Sequence, residues 1–326
     1  MKHDLGITIV LVVFFLVAQL VGLALINMDI KEVKLVDGKI TIVHDETSLG
    51  PRPEMSGIGT FAYIAVGLLI GTLLILLIIR MKKVNLWKAW FFVAVFLAIS
   101  LSLGVFLPTY VALVIALLLA ILKVIKPNVF IHNLTEVLMY SGIAVFLVPI
   151  LGNPAKINLG VIPENVFWAA ILLIAISIYD FIAVFKSKHM IRMAKFQTQS
   201  KVFAGLFIPY TPKAQATELV EGKAIKAQKP AKVAPGLPGQ KAEKKNAILG
   251  GGDIAFPLLF TGAVMESLVG KGLSLQAALY QSLIITLTAT MAVAFLFFFA
   301  KKDKFYPAMP IISAGCFVGY VIILLL

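Results

Sequence analysis

The chain has 326 residues, of which 60% are hydrophobic and only 14% are Asp, Glu, Lys or Arg. An ordinary soluble domain carries about 25% charged residues, so a water-facing globule is excluded. The formal net charge of +13 does not point to nucleic acid, because Lys and Arg in membrane-protein loops orient the chain and meet anionic lipid. The single cysteine, Cys316, rules out an intramolecular disulfide. The scattered His3, His44, His132 and His189 form no pair spaced to hold zinc.

The apolar residues run in long unbroken blocks rather than with a 3.6-residue period, which predicts membrane-crossing helices. In chain order the spans fall at 5–27, 58–80, 88–107, 109–125, 133–151, 165–185, 247–269, 275–300 and 306–326. The apolar stretch Leu5 to Ile26 exceeds the roughly 7–15-residue core of a signal peptide, so it reads as a retained first helix. The fold class is all-α: one polytopic integral membrane domain with nine transmembrane helices. Spans one to six occupy 1–185, a basic loop 186–246, and spans seven to nine 247–326.

Of the 29 Lys and Arg residues, only six fall on one side of this layout, at 28–57, 152–164 and 270–274. The excess on the other side makes that side cytoplasmic, with the N-terminus, and sends the C-terminus outside.

Two loops have character. In the outer loop 28–57, Asp37-Gly38 between two β-prone runs predicts a two-residue hairpin with Leu35 opposite Ile40 and Val33 opposite Ile42. In the loop 186–246, Lys186 to Gln197 mixes basic and apolar residues and reads as the sixth helix continuing into the membrane interface. Lys213 to Asn246 is rich in Lys, Ala, Pro, Gly and Gln and reads as a disordered tether.

Four acids lie within the spans: Glu136, Asp180, Asp253 and Glu266. An acid at a helix centre costs about 2.5–3.5 kcal/mol on insertion scales, so each needs a reason. Glu136 and Glu266 sit about one turn from span ends and read as snorkelling or helix-end acids. Asp180 and Asp253 lie six residues before Lys186 and eight after Lys245, roughly 9 and 12 Å deep on antiparallel helices. They can therefore face each other at one level. Two carboxylates in a low-dielectric site do not both ionise easily, so one holds a proton, the pairing that acid–base peptide hydrolysis requires. A pair binding a proton or cation in a transporter has the same residues, and depth alone does not choose.

The neighbouring sequence adds to this. Gly250, Gly251 and Gly252 weaken the helix before Asp253 and leave a bare surface. Pro257 cannot donate to the Asp253 carbonyl and should kink the helix there. At the start of span nine, Pro307 and Pro310 flank Ala308 and Met309, leaving nearby carbonyls without helical donors.

Together these sites resemble the presenilin and signal peptide peptidase family of intramembrane aspartyl proteases. Tyr179-Asp180 is similar to its Tyr-Asp motif on span six, Gly250-Gly251-Gly252-Asp253 to its Gly-x-Gly-Asp motif on span seven, and Pro307-Ala308-Met309 to its Pro-Ala-Leu motif on span nine. Met309 departs from the usual leucine, a swap that conserves volume and apolarity. The short loops resemble a prokaryotic or archaeal member. The run Asp253 to Pro257 leans toward signal peptide peptidases, and Pro307 to Ile311 toward presenilins.

The resemblance covers the whole chain and implies an aspartic endopeptidase cutting peptide bonds within transmembrane segments or signal peptides. It implies Asp180 and Asp253 as a catalytic dyad activating one water, without metal or cofactor. Pro307, Ala308 and Met309 would hold unwound substrate, with Gly250 and Gly252 leaving room for it. Gly251 and Tyr179 belong to the same motifs, and Tyr179 lies about 100° around the helix from Asp180. The partners implied are a substrate's transmembrane helix or signal peptide and the lipid bilayer of a cell membrane. A homo-oligomer is compatible with the sequence, and no nucleic acid is expected.

Overall fold

A computed structural model of the chain describes residues 5–36, 39–55, 57–81, 83–125, 128–152, 156–158, 162–187, 196, 203–210, 245–300 and 306–326. Among them are nine α-helices: α1 (Leu5–Asp29), α2 (Ile58–Met81), α3 (Val84–Leu103), α4 (Thr109–Ile125), α5 (Val129–Leu147), α6 (Glu164–Ile182), α7 (Gly251–Gly270), α8 (Leu275–Phe299) and α9 (Met309–Leu325). Seven have the length and apolar character to cross a bilayer. The other two, α4 and α9, have 17 residues each, at the short end of what a span needs.

Helix ends differ from the hydropathy blocks where polar residues cap or interrupt them. Asn128 accepts the Phe130 amide at 2.9 Å and starts α5 at Val129, four residues before the apolar block. Ser274 caps α8 in the same way through Ala277. Helix α3 begins at Val84 rather than 88, carrying Lys88 within it. Helix α6 ends in a π-helical turn, Ala183–Ser187. Helix α7 begins at Gly251 rather than 247, because Lys245–Gly250 is a strand.

Among the described residues, three short antiparallel strand pairs accompany the helices. Strands β1 (Ile30–Val36) and β2 (Lys39–His44) form the outer hairpin in the expected register, with Leu35 opposite Ile40 and Val33 opposite Ile42. Its Asp37-Gly38 turn lies outside the described residues. Strands β3 (Ile157–Asn158) and β4 (Ile162–Pro163) precede α6. Strands β5 (Gly205–Tyr210) and β6 (Lys245–Gly250) pair with Gly205 opposite Gly250, so the second leads straight into α7. The interface reading of Lys186 to Gln197 and the tether reading of Lys213 to Asn246 fall mostly outside the described residues.

Helix α7 is the hub. From Pro257 to Val269 every residue is buried, packed against α1, α5, α6, α8 and α9. Small residues make the approach close, as expected where helices pack in lipid. Polar side chains lock the hub to its neighbours: Asn165 of α6 donates to the Ala263 carbonyl at 2.8 Å, and Gln19 of α1 to the Ile254 carbonyl at 2.8 Å.

Glu266, read from sequence as a snorkelling acid, is instead buried. It lies beside the hairpin, where His44 Nε2 is 3.4 Å from its Oε1. The other ring nitrogen of His44 meets Asp29 at 2.9 Å, and Arg52 donates to both oxygens of Asp29 at 2.7 and 2.8 Å. Two buried acids thus share two basic groups, which pins the hairpin to the end of α7. Burial alone pushes the His44 imidazole down, but Glu266 and Asp29 outweigh it and hold it above the usual 6.5. With a raised folded value, its stabilising charge is fully present below about pH 6.5 and is lost as pH rises through the folded value. Thermal unfolding midpoints in detergent should fall across that window in the wild type and stay flatter in His44→Gln. At acidic pH that variant should be weaker by about 1–3 kcal/mol.

Candidate active site

Asp180 lies three residues from the end of α6, counting Ile182 as the last, and Asp253 is the third residue of α7. The two helices pack against each other and run in opposite directions, so both carboxylates stand at the same end of the bundle. Asp180 is 4% exposed and Asp253 partly buried, and the charge of Asp180 is felt at Asp253.

Helix α9 closes the site on the Asp180 side. The segment Tyr306–Ala308 is irregular, and α9 starts at Met309 with Pro310 in its first turn. Proline there costs little, since the first amides of a helix have no internal partner. Met309 N–H donates to Asp180 Oδ2 at 3.1 Å, and the Ala308 amide also acts on this carboxylate. The free amides of a helix start thus meet an acid, an arrangement that favours negative charge. About one turn along each helix, Ser177 and Ser313 hydrogen bond at 2.9 Å and tie α6 to α9.

The three glycines differ. Gly250 ends β6 and caps α7 in extended conformation, and a Cβ on it would stand 3.1 Å from Asp253 Oδ2. Gly251 lies under Tyr140 of α5, where a Cβ would be 2.7 Å from the phenol ring. Gly252 is exposed. Pro257 denies a helical donor to the Asp253 carbonyl, while the next carbonyl, of Ile254, receives Gln19. Tyr179 is 42% exposed.

The structure therefore joins Met309 to Asp180, sets Gly250 against Asp253 at the same end of the antiparallel α6 and α7, and leaves Tyr179 and Gly252 exposed. Sequence reading missed the β5–β6 pair beside Asp253. Its strands are separated by the long loop and carry no short-range hairpin signal. It also missed Lys123, assigned to a loop, and Glu136, assigned as a snorkelling acid. Both are buried and form an ion pair with each other. Lys123, two residues before the end of the preceding span at 125, was the available clue to a partner for Glu136.

Comparison with known proteins bears on which chemistry the carboxylates perform. The family model described as signal-peptide peptidase, presenilin aspartyl protease matches residues 12–326. Comparison with curated proteins gave no match. Two solved structures, each described as a presenilin family intramembrane aspartate protease, in C222 and P2 space groups, are similar in fold. They share 15% identity and TM-scores of 0.52 and 0.53, covering 98% of this chain and 95% and 97% of theirs. The family, rather than the depth of the acids, decides against the transporter reading. The chain belongs to the signal-peptide peptidase and presenilin family of aspartyl proteases, and is a multi-pass membrane endopeptidase.

Proposed function

We propose that this protein hydrolyses peptide bonds in the transmembrane segments of membrane proteins or in signal peptides, using Asp180 and Asp253 as a dyad around one water. The observation that carries this reading is the shared location of the two acids on antiparallel α6 and α7, with the Met309 amide on Asp180. Amide donors suit an ionised carboxylate, and two of them, of Met309 and Ala308, act on Asp180 against one, of Gly250, on Asp253, so Asp180 takes the role of base and Asp253 that of acid. Asp180 draws a proton from water as its oxygen bonds to the scissile carbonyl carbon. Asp253 gives its proton to the carbonyl oxygen. Collapse of the resulting gem-diol breaks the C–N bond as Asp180 gives its proton to the leaving amine and one diol hydroxyl returns its proton to Asp253, which leaves a carboxylic acid, an amine and the starting dyad.

A helical substrate hides its carbonyls in internal hydrogen bonds, so it must unwind before attack. The β5–β6 pair ends at Gly250, three residues before Asp253, and an unwound segment could satisfy its backbone there as an added strand. Gly250 keeps that approach low. With the basic loops cytoplasmic, the site lies near the cytoplasmic face of a cell membrane and the C-terminus outside.

The test is cleavage of a purified single-span substrate in proteoliposomes as a function of pH. A dyad that needs one ionised and one protonated carboxyl gives a bell-shaped kcat/KM profile, low at both ends. A flat profile from acidic to neutral pH would remove the shared-proton mechanism.

A further inference from the structure

A second buried acid beside the site has no part in the mechanism above. Glu136 of α5 is 0% exposed and its Oε1 pairs with Lys123 Nζ of α4, itself 3% exposed and lying 5.1 Å over the Phe91 ring. Its Oε2 accepts from the Tyr140 hydroxyl and from the Gly205 amide, the latter at 2.7 Å. One turn back, His132 Nε2 lies 2.8 Å from the Gly205 carbonyl. Asn133 exchanges two hydrogen bonds of 3.0 Å with the Phe207 backbone. One face of α5 therefore grips the start of β5 by its backbone.

That grip leads to Asp253. Gly205 pairs with Gly250, whose α-carbon faces Asp253, and Tyr140 braces Gly251 from the other side. The charge of Asp253 is felt at Tyr140. The Lys123–Glu136 attraction by itself does not explain the arrangement, because a buried ion pair can often be replaced by apolar residues without loss. Lipid makes intramembrane charges dearer still. What an apolar pair lacks is a directed acceptor for the Gly205 amide and the Tyr140 hydroxyl.

We propose that Glu136 and Tyr140 are positioning residues for the reaction: held by Lys123, Glu136 clamps the Gly205–Gly250 end of the strand pair, Tyr140 braces Gly251, and together they fix where α7 presents Asp253 to Asp180. This rests on the two-aspartate reading of the site. A displacement of about 1 Å at a reacting group costs on the order of 10²-fold in rate, so the clamp acts on kcat.

The test uses the full chain with a single-span substrate, reading kcat and KM separately, together with amide hydrogen exchange in 205–210 and 245–251 without substrate. In Lys123→Leu/Glu136→Leu, which leaves the Gly205 amide and the Tyr140 hydroxyl unpaired, the unfolding midpoint should fall while the chain stays folded, and KM should stay within about twofold, while kcat falls at least tenfold and exchange quickens at least tenfold. Lys123→Leu/Glu136→Gln, which restores an acceptor, should recover most of kcat and the slow exchange. Tyr140→Phe should lower kcat with KM unchanged. A folded Leu/Leu variant with wild-type kcat and exchange overturns the proposal. If that variant does not fold, Tyr140→Phe with kcat within twofold of wild type overturns it instead. Failure of the underlying reading looks different: the wild type leaves substrate uncut, or Asp253→Ala cuts as well as wild type, and the exchange rates still decide whether Glu136 holds the strands.

Discussion

Replacing Asp180 or Asp253 by alanine is expected to abolish cleavage of a single-span substrate, with kcat reduced at least about 10⁴-fold in either variant. Each acid carries a proton that the other cannot, so the losses should not add when both are replaced. Folding is the obvious confounder. Asp180→Ala leaves the Met309 amide without its acceptor, at a cost of about 1–3 kcal/mol. Asp180→Asn keeps an oxygen for that amide and keeps the side-chain volume, yet cannot take a proton from water. The asparagine variants at both positions should therefore match wild type in unfolding midpoint and still be inactive. Mass spectrometry of the products is the measurement. Substantial cleavage by any purified single variant would remove that aspartate from the chemistry.

Gly142→Val is expected to give the largest loss of stability among single substitutions in the helix bundle. Gly142 lies on α5 where that helix meets α3 backbone to backbone. A Cβ there would stand 3.0 Å from the Ala98 carbonyl carbon and 3.0 Å from the Ser102 amide, and closer still to the Ala98 oxygen. No flexible side chain can yield, so the helices must part. Overpacking usually costs about 1–3 kcal/mol, and a backbone collision belongs at or above the top of that range. Gly67 on α2, where a Cβ would meet nothing within 4 Å, is the control. Valine there should move the unfolding midpoint little, since losing a helical glycine offsets its poorer rotamer freedom. An unchanged midpoint for Gly142→Val would mean that α3 and α5 are not held this closely. Because α5 also carries Glu136 and Tyr140, the same variant should lose activity.

Much of this was legible in the sequence because the bilayer imposes a simple code. Lipid demands long apolar runs, so the blocks beginning at Leu5, Ile58 and Leu275 give helices at nearly the expected places. The hairpin register follows from local turn chemistry and the two-residue side-chain period. Asp180 and Asp253 stand out because acids are scarce in spans. Helix starts were less legible. At Val129 and Gly251 the boundary is set by a capping side chain and by a strand pairing with a segment some 40 residues away, neither of which hydropathy senses.

The membrane class, the helical fold, the hairpin and the two motifs carrying the aspartates depend on composition or on residues close in the chain, so the amino-acid order was enough for them. The fates of Glu136 and Glu266 depend on packing between distant segments. A helix-end acid is satisfied by water if it faces outward and by partners if it faces inward. Those partners, Lys123, Tyr140 and Gly205 for one and His44 for the other, come together only when α4, α5, β5, the hairpin and α7 pack. The same holds for the Met309 amide on Asp180, since 129 residues separate donor and acceptor. The low charged fraction excluded a soluble domain and singled out the intramembrane acids, and packing then sorted them. Asp180 and Asp253 stand at the same end of antiparallel α6 and α7, whereas Glu136 pairs with buried Lys123 and Glu266 lies beside half-buried His44.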